Sequence, residues 1–232
     1  MFYNRNMRIN RYLARSGVTS RRKSEELIKN GLVFVNGTKV TELATEINPD
    51  KDTVEVGGEI VELPQFKYYA LNKPAGYTCT RGDIHAERTI FELLPQDSSL
   101  FTVGRLDRET TGLILITNDG NFAQNIIHPT NKVRKTYLVK LQNPGTKSQI
   151  ERLAKEIQLE DGVAKAVEAN IINEYEIELV IEEGRKRIVR RMIKAIGNKV
   201  IGLRRTRIGD IFLDTKEGEF RELSPKEIER YV

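Results

Sequence analysis

The sequence of 232 residues has a single cysteine, Cys79, and only two histidines, His85 and His128. One cysteine excludes an internal disulfide bond and any metal site built from cysteines alone. The histidines lie far apart and lack the spacing of metal ligands, so we predict no metal site. A reducing compartment, the cytoplasm, fits this composition best.

Long apolar runs and nucleotide-binding glycine motifs are also missing. No segment approaches the roughly 20 apolar residues that cross a membrane. Residues 1–10 lack the apolar core of a signal peptide, so we expect neither membrane attachment nor export. Neither a G-x-G-x-x-G pattern nor a P-loop occurs, so nucleoside triphosphates are not indicated.

Acidic residues are scarce in two segments of a chain whose net charge is +5. Residues 1–41 contain nine Lys or Arg and two Glu, and residues 183–207 contain ten Lys or Arg and one Glu. Solvated helix faces normally interleave acidic residues with basic ones. Two concentrated basic segments on an otherwise acidic protein therefore indicate a polyanionic partner, most simply nucleic acid.

Residues 8–30 predict two short helices. Apolar residues such as Ile9 and Leu13 mark one face of the first helix, and Gly17 is suited to end it. Ser20 can cap the second helix. Two hairpins should follow, because Asn36-Gly37 and later Gly57-Gly58 favour tight turns between strands.

The first turn of the second predicted helix carries Arg21, Arg22 and Lys23, where the helix dipole disfavours cations. A bound phosphate would resolve this conflict, because free amide groups and three basic side chains would surround it. A solvated, mildly unfavourable helix start is the alternative. With "SRRKSEELI" and "VFVNG", residues 7–60 resemble the alpha-L RNA-binding domain named for small-subunit ribosomal protein S-four, which implies binding to structured RNA.

The remaining chain predicts many strands interrupted by helices without strict β-α-β alternation. This pattern favours an α+β fold with a mostly antiparallel sheet flanked by helices. A polar connector around residues 63–65 suggests domains at 7–62 and 66–232. One of the predicted helices, "KSQIERLAKEI", would place Ile150, Leu153 and Ile157 on one face.

The segment "GRLDRETTGLILITNDG" places Asp107 between a core strand and a turn. A carboxylate there is costly unless a partner offsets its desolvation. It could cap the local loop by accepting backbone amides, or it could be catalytic, and taken alone the segment leaves both interpretations open. Gly104 and Gly112 suit close backbone approach, although isolated glycines are weak evidence.

A partner for this carboxylate could come from the second basic segment. If residues 187–197 form a helix, their apolar residues make one stripe, with Arg190 and Arg191 on its opposite shoulders and Lys194 pointing away. A shoulder arginine can reach a partly buried carboxylate and hold it ionised. The sequence alone does not show that this contact exists.

Five motifs in this order, "LNKPAGY", "RTIFELLP", "VGRLDRETTGLILITNDG", "KTYLVKL" and "EEGRKRIVRRMIKAIG", resemble the RsuA-like group of ribosomal RNA pseudouridine synthases. The resemblance spans nearly the whole chain. It implies that a uridine in folded RNA leaves its stack, its N-glycosidic bond is broken, and a carbon–carbon bond is made, with no cofactor. Large-subunit RNA is our expected substrate, with small-subunit RNA as the alternative.

The resemblance also implies residue roles. Asp107 matches the essential aspartate, Tyr137 the tyrosine that stacks on the flipped base, and Arg190 the arginine paired with the aspartate. Arg105 matches a position expected to enter the space that the nucleotide leaves. The remaining RNA-binding residues that we predict are Arg8, Arg21, Arg22, Lys23, Arg185, Lys186, Arg187 and Arg191.

One position departs from the family pattern: Ile188 stands where many relatives have a glutamine, which puts any polar role there in doubt. Two other functions compete with the synthase. A non-catalytic RNA-binding or ribosome-assembly protein would not need Asp107, and a glycosidase or nuclease would need a second carboxylate or a metal cluster nearby. We expect a monomer.

Overall fold

The computed structural model describes residues 6–80 and 87–232 and separates the chain into two compact units. One unit runs to Lys67 and includes Asp97–Phe101; the other comprises Tyr68–Gln96 and Thr102–Val232. No sequence pattern predicts that Asp97–Phe101 belongs to the first unit. Hydrogen bonds within that unit account for it, since Lys67 donates to Asp97 and Ser98 donates to the carbonyl of Gly17.

The first unit contains two helices and six short strands. These are β1 (Met7–Arg8), α1 (Ile9–Arg15), α2 (Arg21–Lys29), β2 (Val33–Val35), β3 (Thr38–Val40), β4 (Glu46–Ile47), β5 (Val54–Val56) and β6 (Glu59–Val61). Four strands form an antiparallel sheet in the order β3-β2-β5-β6, and β1 pairs with β4.

Local sequence signals explain most of this unit. Ser20 caps α2 by accepting a hydrogen bond from the Lys23 amide at 3.3 Å. Asn36 and Gly37 both have positive φ angles, 50° and 74°, as the hairpin turn between β2 and β3 requires. Ile9 and Ile28 are fully buried, so the apolar faces of both helices meet the sheet in one core.

The second unit is built around a larger sheet. Its elements are β7 (Tyr68–Lys73), β8 (Phe101–Val103), β9 (Thr111–Thr117), α3 (Gly120–Ile127), β10 (Lys135–Leu141), α4 (Lys147–Leu153), β11 (Ile157–Leu159), β12 (Gly162–Ala164), β13 (Glu168–Asn173), β14 (Glu176–Ile181), α5 (Ile188–Ala195), β15 (Val200–Ile208), β16 (Ile211–Phe212), β17 (Phe220–Glu222) and α6 (Pro225–Glu229), with 3₁₀ turns at Ile90–Leu93 and Pro129–Asn131.

The sheet order is β13-β14-β10-β15-β9-β7-β17, with β16 added to β15 and β8 to β9. Neighbours along this path are antiparallel except β9 and β15, which run parallel. This confirms the predicted α+β class with a mostly antiparallel sheet. None of the helices in the described part of the chain is long and apolar enough to cross a membrane.

Two helix predictions were wrong in extent. The helix α4 ends at Leu153, and Ile157 instead begins β11, because residues 157–164 pair with each other as a hairpin. The helix α5 begins at Ile188 rather than at residue 187, since Arg187 has a left-handed φ of 53°. Strand pairing and a left-handed residue thus override helical periodicity.

A partly buried ion pair fastens α6 to β17. Arg221 donates two hydrogen bonds to Glu227, at 2.9 and 2.7 Å, and the backbone and side chain of Ser224 donate to the same carboxylate. The hydrogen bonds from Arg221, followed by those from Ser224, lower the pKa of Glu227 from 4.5 to about 2.

We expect Glu227→Gln to lower the free energy of unfolding at pH 7 by about 2 kcal/mol. Because the folded pKa is depressed, this stabilisation is present above pH 4.5 and is lost as the pH falls toward 2. Urea unfolding should show that the difference in the free energy of unfolding between the native protein and the variant becomes smaller from pH 7 to pH 3. Glu229→Gln, an exposed change on the same helix, is the control. A difference in stability between the native protein and Glu227→Gln that is equal at every pH would contradict the lowered pKa of Glu227.

Candidate active site

The carboxylate of Asp107 lies in the loop between β8 and β9 and is half-buried, with 33% of its side chain exposed. Its Oδ2 atom is 3.7 Å from Nε of Arg190 and 4.0 Å from Nη1 of Arg187. The second basic segment therefore does supply a partner for this carboxylate. Among the described residues, no backbone amide donates to the Asp107 side chain, so the capping interpretation is wrong.

The helix α5 holds Arg190 against the loop. Its Nη2 donates to the side chain of Thr110 and its Nη1 to the carbonyl of Val200, both at 3.5 Å. Burial, and then the neighbouring charge of Arg187, lowers the pKa of Arg190, whereas Asp107 opposes this shift. The guanidinium group is thus a partly desolvated cation aimed at a single carboxylate.

A buried ammonium group orders the chain after Asp107. Lys73 is fully buried at the end of β7, and its Nζ donates to the carbonyls of Pro74, Arg108 and Thr110 at 2.8–2.9 Å. Burial lowers the pKa of Lys73. No spacing in the sequence indicates that the side chain of Lys73 reaches the loop that carries Asp107.

The residue before Asp107 is held by Cys79. The thiol of Cys79 donates to the carbonyl of Leu106 at 3.3 Å, and the Leu106 amide donates back to the sulfur at 3.4 Å. Burial raises the pKa of Cys79, so the thiol keeps the proton that it donates. The only cysteine therefore has a structural role beside the site, which composition did not reveal.

On the sheet, Tyr137 of β10 lies directly opposite Arg205 of β15. Arg205 is buried, with 5% exposed; its Nε donates to the carbonyl of Leu113 at 2.7 Å and its Nη1 to the Tyr137 hydroxyl at 3.5 Å. Arg205 was missed as a site residue because in sequence it is one basic residue among many. The signal that could have identified Arg205 is its position on the inward-facing side of β15.

Gly112 makes this arrangement possible. Its φ is +98°, and a Cβ atom at this position would lie 2.2 Å from the carbonyl oxygen of Arg205. The parallel pairing of β9 and β15 brings these two backbones together. The close approach expected at Gly112 is therefore observed, and it places Arg205 behind the loop that carries Asp107.

These elements enclose a cavity of about 170 Å³. Loop, sheet and helix each contribute to its walls. The charged and polar residues lining it are Arg105, Asp107, Thr110, Lys135, Tyr137, Glu183, Arg185, Arg187 and Arg205. Ile188, the departure from the family pattern, lines the cavity as a buried apolar residue.

The other predicted RNA-binding residues of this unit differ in whether a carboxylate of the protein already binds them. Arg105, Lys186 and Arg187 are exposed. Arg185 and Arg191 instead pair with Asp161 in the β11–β12 turn, at 3.0 and 2.6 Å, and Arg185 also donates to Glu183. Internal carboxylates thus hold these two guanidinium groups, a detail that the charge count did not show.

In the first unit, Arg21, Arg22 and Lys23 form the exposed first turn of α2, which contains no acidic residue. Arg8 is exposed on β1. The cationic helix start predicted from the sequence is therefore present in the structure.

Metal ligands do not cluster in the described ranges 6–80 and 87–232, where no three His, Cys, Asp or Glu side chains come together. His128 binds the hydroxyl of Thr130 through Nδ1 at 2.7 Å. His85 lies outside the described residues.

We expect Lys73→Met to lower the free energy of unfolding by about 3 kcal/mol, because three buried carbonyls lose their donor. Urea unfolding measures the change. Lys155→Met removes the same charge from an exposed position and serves as the control. A loss no larger than that of the control would mean that other contacts hold the loop.

Comparison with known proteins adds an independent line of evidence. The family model described as RNA pseudouridylate synthase matches residues 67–195, and the model described as S4 domain matches residues 7–54. A solved structure described as "Crystal structure of pseudouridylate synthase" superposes with a TM-score of 0.72 at 35% identity. That match covers 97% of this chain and all of the other.

Relatives of similar length are also described as pseudouridine synthases. An uncharacterized RNA pseudouridine synthase of Aquifex aeolicus is 40% identical, covering 96% of this chain and 92% of that protein. Ribosomal large subunit pseudouridine synthase B of Bacillus subtilis is 39% identical, covering 96% and 94%. Ribosomal small subunit pseudouridine synthase A of Haemophilus influenzae is 34% identical, covering 97% and 100%. The family resemblance is confirmed, and the chain belongs to the RNA pseudouridine synthase family.

Proposed function

We propose that this protein converts a specific uridine of ribosomal RNA to pseudouridine, with Asp107 as its essential carboxylate. The observation that carries the proposal is the Asp107–Arg190 ion pair at the cavity. This half-buried carboxylate accepts no hydrogen bond from the backbone amides of the described residues and faces the cavity. It is available to act on a substrate.

The reaction needs no co-reactant. When the bond between C1′ and N1 breaks, the electron pair passes to the base; the ring then turns and C5 forms the new bond to C1′. The proton on C5 is lost and N1 gains one, so the product is an isomer. Asp107 can attack covalently or stabilise charge and move a proton at the sugar, and both roles require its ionised form.

The neighbouring residues receive complementary roles. Arg190 orients Asp107, and Tyr137 forms the wall on which the flipped base stacks. Arg105, exposed beside the cavity, is the residue that we propose enters the space left by the nucleotide. The exposed side chain of Lys186 is suited to phosphates. Arg187 is exposed but lies 4.0 Å from Asp107, and Arg185 and Arg191 would first have to leave Asp161.

Large-subunit RNA is the substrate class that we propose. Relatives named large subunit synthase B, from Bacillus subtilis and Vibrio cholerae, are 39% and 38% identical, against 34% for the small-subunit synthase A of Haemophilus influenzae. The margin is small, so small-subunit RNA is the alternative. We further propose a monomer acting in the cytoplasm, without a metal or cofactor.

A non-catalytic RNA-binding protein is the competing function. It would use the basic surfaces, but it would gain nothing from a carboxylate placed among cations at a cavity. Substitution of that carboxylate therefore separates the two functions.

We expect Asp107→Asn to abolish pseudouridine formation while RNA affinity persists. The measurement is pseudouridine mapping in ribosomal RNA from a deletion strain that carries either the native or the variant gene. This also identifies the uridine and the subunit. Glu109→Gln removes an exposed charge from the same loop and should leave the modification intact. Unchanged modification with Asp107→Asn would refute the mechanism.

For the first unit, we expect neutralisation of Arg21, Arg22 and Lys23 to Gln to weaken RNA binding and to reduce the slope of log affinity against log salt by about 2. Filter binding between low and moderate salt measures both. Changing three exposed lysines elsewhere, Lys51, Lys155 and Lys165, removes equal charge and is the control. A slope equal to that of the control would exclude a phosphate clamp at α2.

A further inference from the structure

Lys135 is a cation of the cavity that the roles described above leave unused. It lies on β10 two residues before Tyr137, and both side chains line the cavity, as expected for residues on one face of a strand. Within residues 6–80 and 87–232, its ammonium group has no hydrogen bond and no ion pair. Burial, and then the charge of Arg205, lowers the pKa of Lys135 to about 8.

Arg205, which also lines this cavity, carries a second unused donor. Its Nε and Nη1 are occupied by Leu113 and Tyr137, but Nη2 is buried and has no partner among the described residues. A buried donor without an acceptor costs about 1–3 kcal/mol. Such a group calls for an explanation, and a ligand that supplies the acceptor is one.

The surroundings leave this part of the cavity positive. Glu182 is the acidic group that opposes the lowered pKa of Lys135, and it already lies 3.6 Å from Nε of Arg134. Asp107 is engaged by Arg187 and Arg190, and Glu183, which also lines the cavity, is engaged by Arg185. Lys135 and Arg205 therefore face the cavity without a protein carboxylate of their own.

We propose that Lys135 and Arg205 form a donor pair that binds the carbonyl oxygens of the uracil ring and stabilises its negative charge while it is detached from the sugar. This inference rests on the proposed function. Cleavage of the C1′–N1 bond leaves the electron pair delocalised over N1, O2 and O4, and formation of the C1′–C5 bond consumes it. Fixed hydrogen-bond donors at those oxygens stabilise the charged, detached ring more than they stabilise the neutral substrate.

The pair also explains selection of the base. Ammonium and guanidinium groups only donate hydrogen bonds, so they match the two carbonyls of uracil. Cytosine presents an amino group in place of O4, which would leave a buried donor facing a donor. The pair thus acts on specificity as well as on rate.

The test uses Lys135→Met, because Arg205 also supports the backbone at Leu113 and its loss could affect folding. Large- and small-subunit RNA transcripts are prepared with uridine or with 5-fluorouridine. Single-turnover loss of the original nucleoside is followed by liquid chromatography of the digested RNA, because pseudouridine has the same mass as uridine. Fluorine withdraws electrons and stabilises the detached ring, so a missing donor matters less on the fluorinated substrate.

We expect Lys135→Met to slow the reaction of uridine about 100-fold and that of 5-fluorouridine about 10-fold or less, with unchanged RNA affinity. Lys135→Arg should recover part of the rate. Arg205→Lys, which keeps the charge but loses the fork of donors, should show the same dependence on fluorine. Lys140→Met, an exposed change on the same strand, is the control.

Equal slowing on both substrates, or a loss confined to RNA affinity, would overturn the donor pair and leave Lys135 a structural or phosphate-binding residue. Failure of the proposed function has a different signature. In that case the native protein converts neither substrate faster than Asp107→Asn, and both proposals fall together.

Discussion

The ammonium group of Lys73 is fully buried and ends on three carbonyl oxygens, two of which belong to the loop that follows Asp107. A buried cation of this kind is tolerated only where acceptors replace its water. The same hydrogen bonds therefore replace the lost hydration of Lys73 and order the loop that carries Asp107. With Cys79 holding Leu106 on the other side, the backbone around Asp107 is fixed at both ends.

From this fixed loop the rest of the site follows. Thr110 accepts from Arg190, and the guanidinium of Arg190 then faces Asp107. At Gly112 the strand β9 comes into contact with β15, so that the side chain of Arg205 reaches the hydroxyl of Tyr137. A carboxylate, a tyrosine and several cations thus meet in one cavity, which suits an anionic polymer such as RNA.

Basic residues that are adjacent in sequence have quite different uses. Within residues 183–207, Arg205 is buried and Arg190 is partly buried beside Asp107. Arg185 and Arg191 brace the β11–β12 turn through Asp161, and Lys186 is exposed. Only part of this charge is therefore free to meet phosphates. The first turn of α2 is the opposite case, because its three cations are all exposed.

The local structure could be predicted from the sequence alone. The positive φ angles at Asn36 and Gly37, the Ser20 cap and the apolar stripe of α5 depend on near neighbours, and each formed as predicted. The ordered motifs pointed to Asp107, Tyr137 and Arg190 as a group. Only the tertiary structure determined the contacts between residues that are distant in sequence. Lys73 binds Thr110, Cys79 binds Leu106, Arg205 lies behind Gly112, and Ile157 pairs in a hairpin. These contacts satisfy buried polar groups and strand edges, and no local pattern specifies which distant residue will supply the partner.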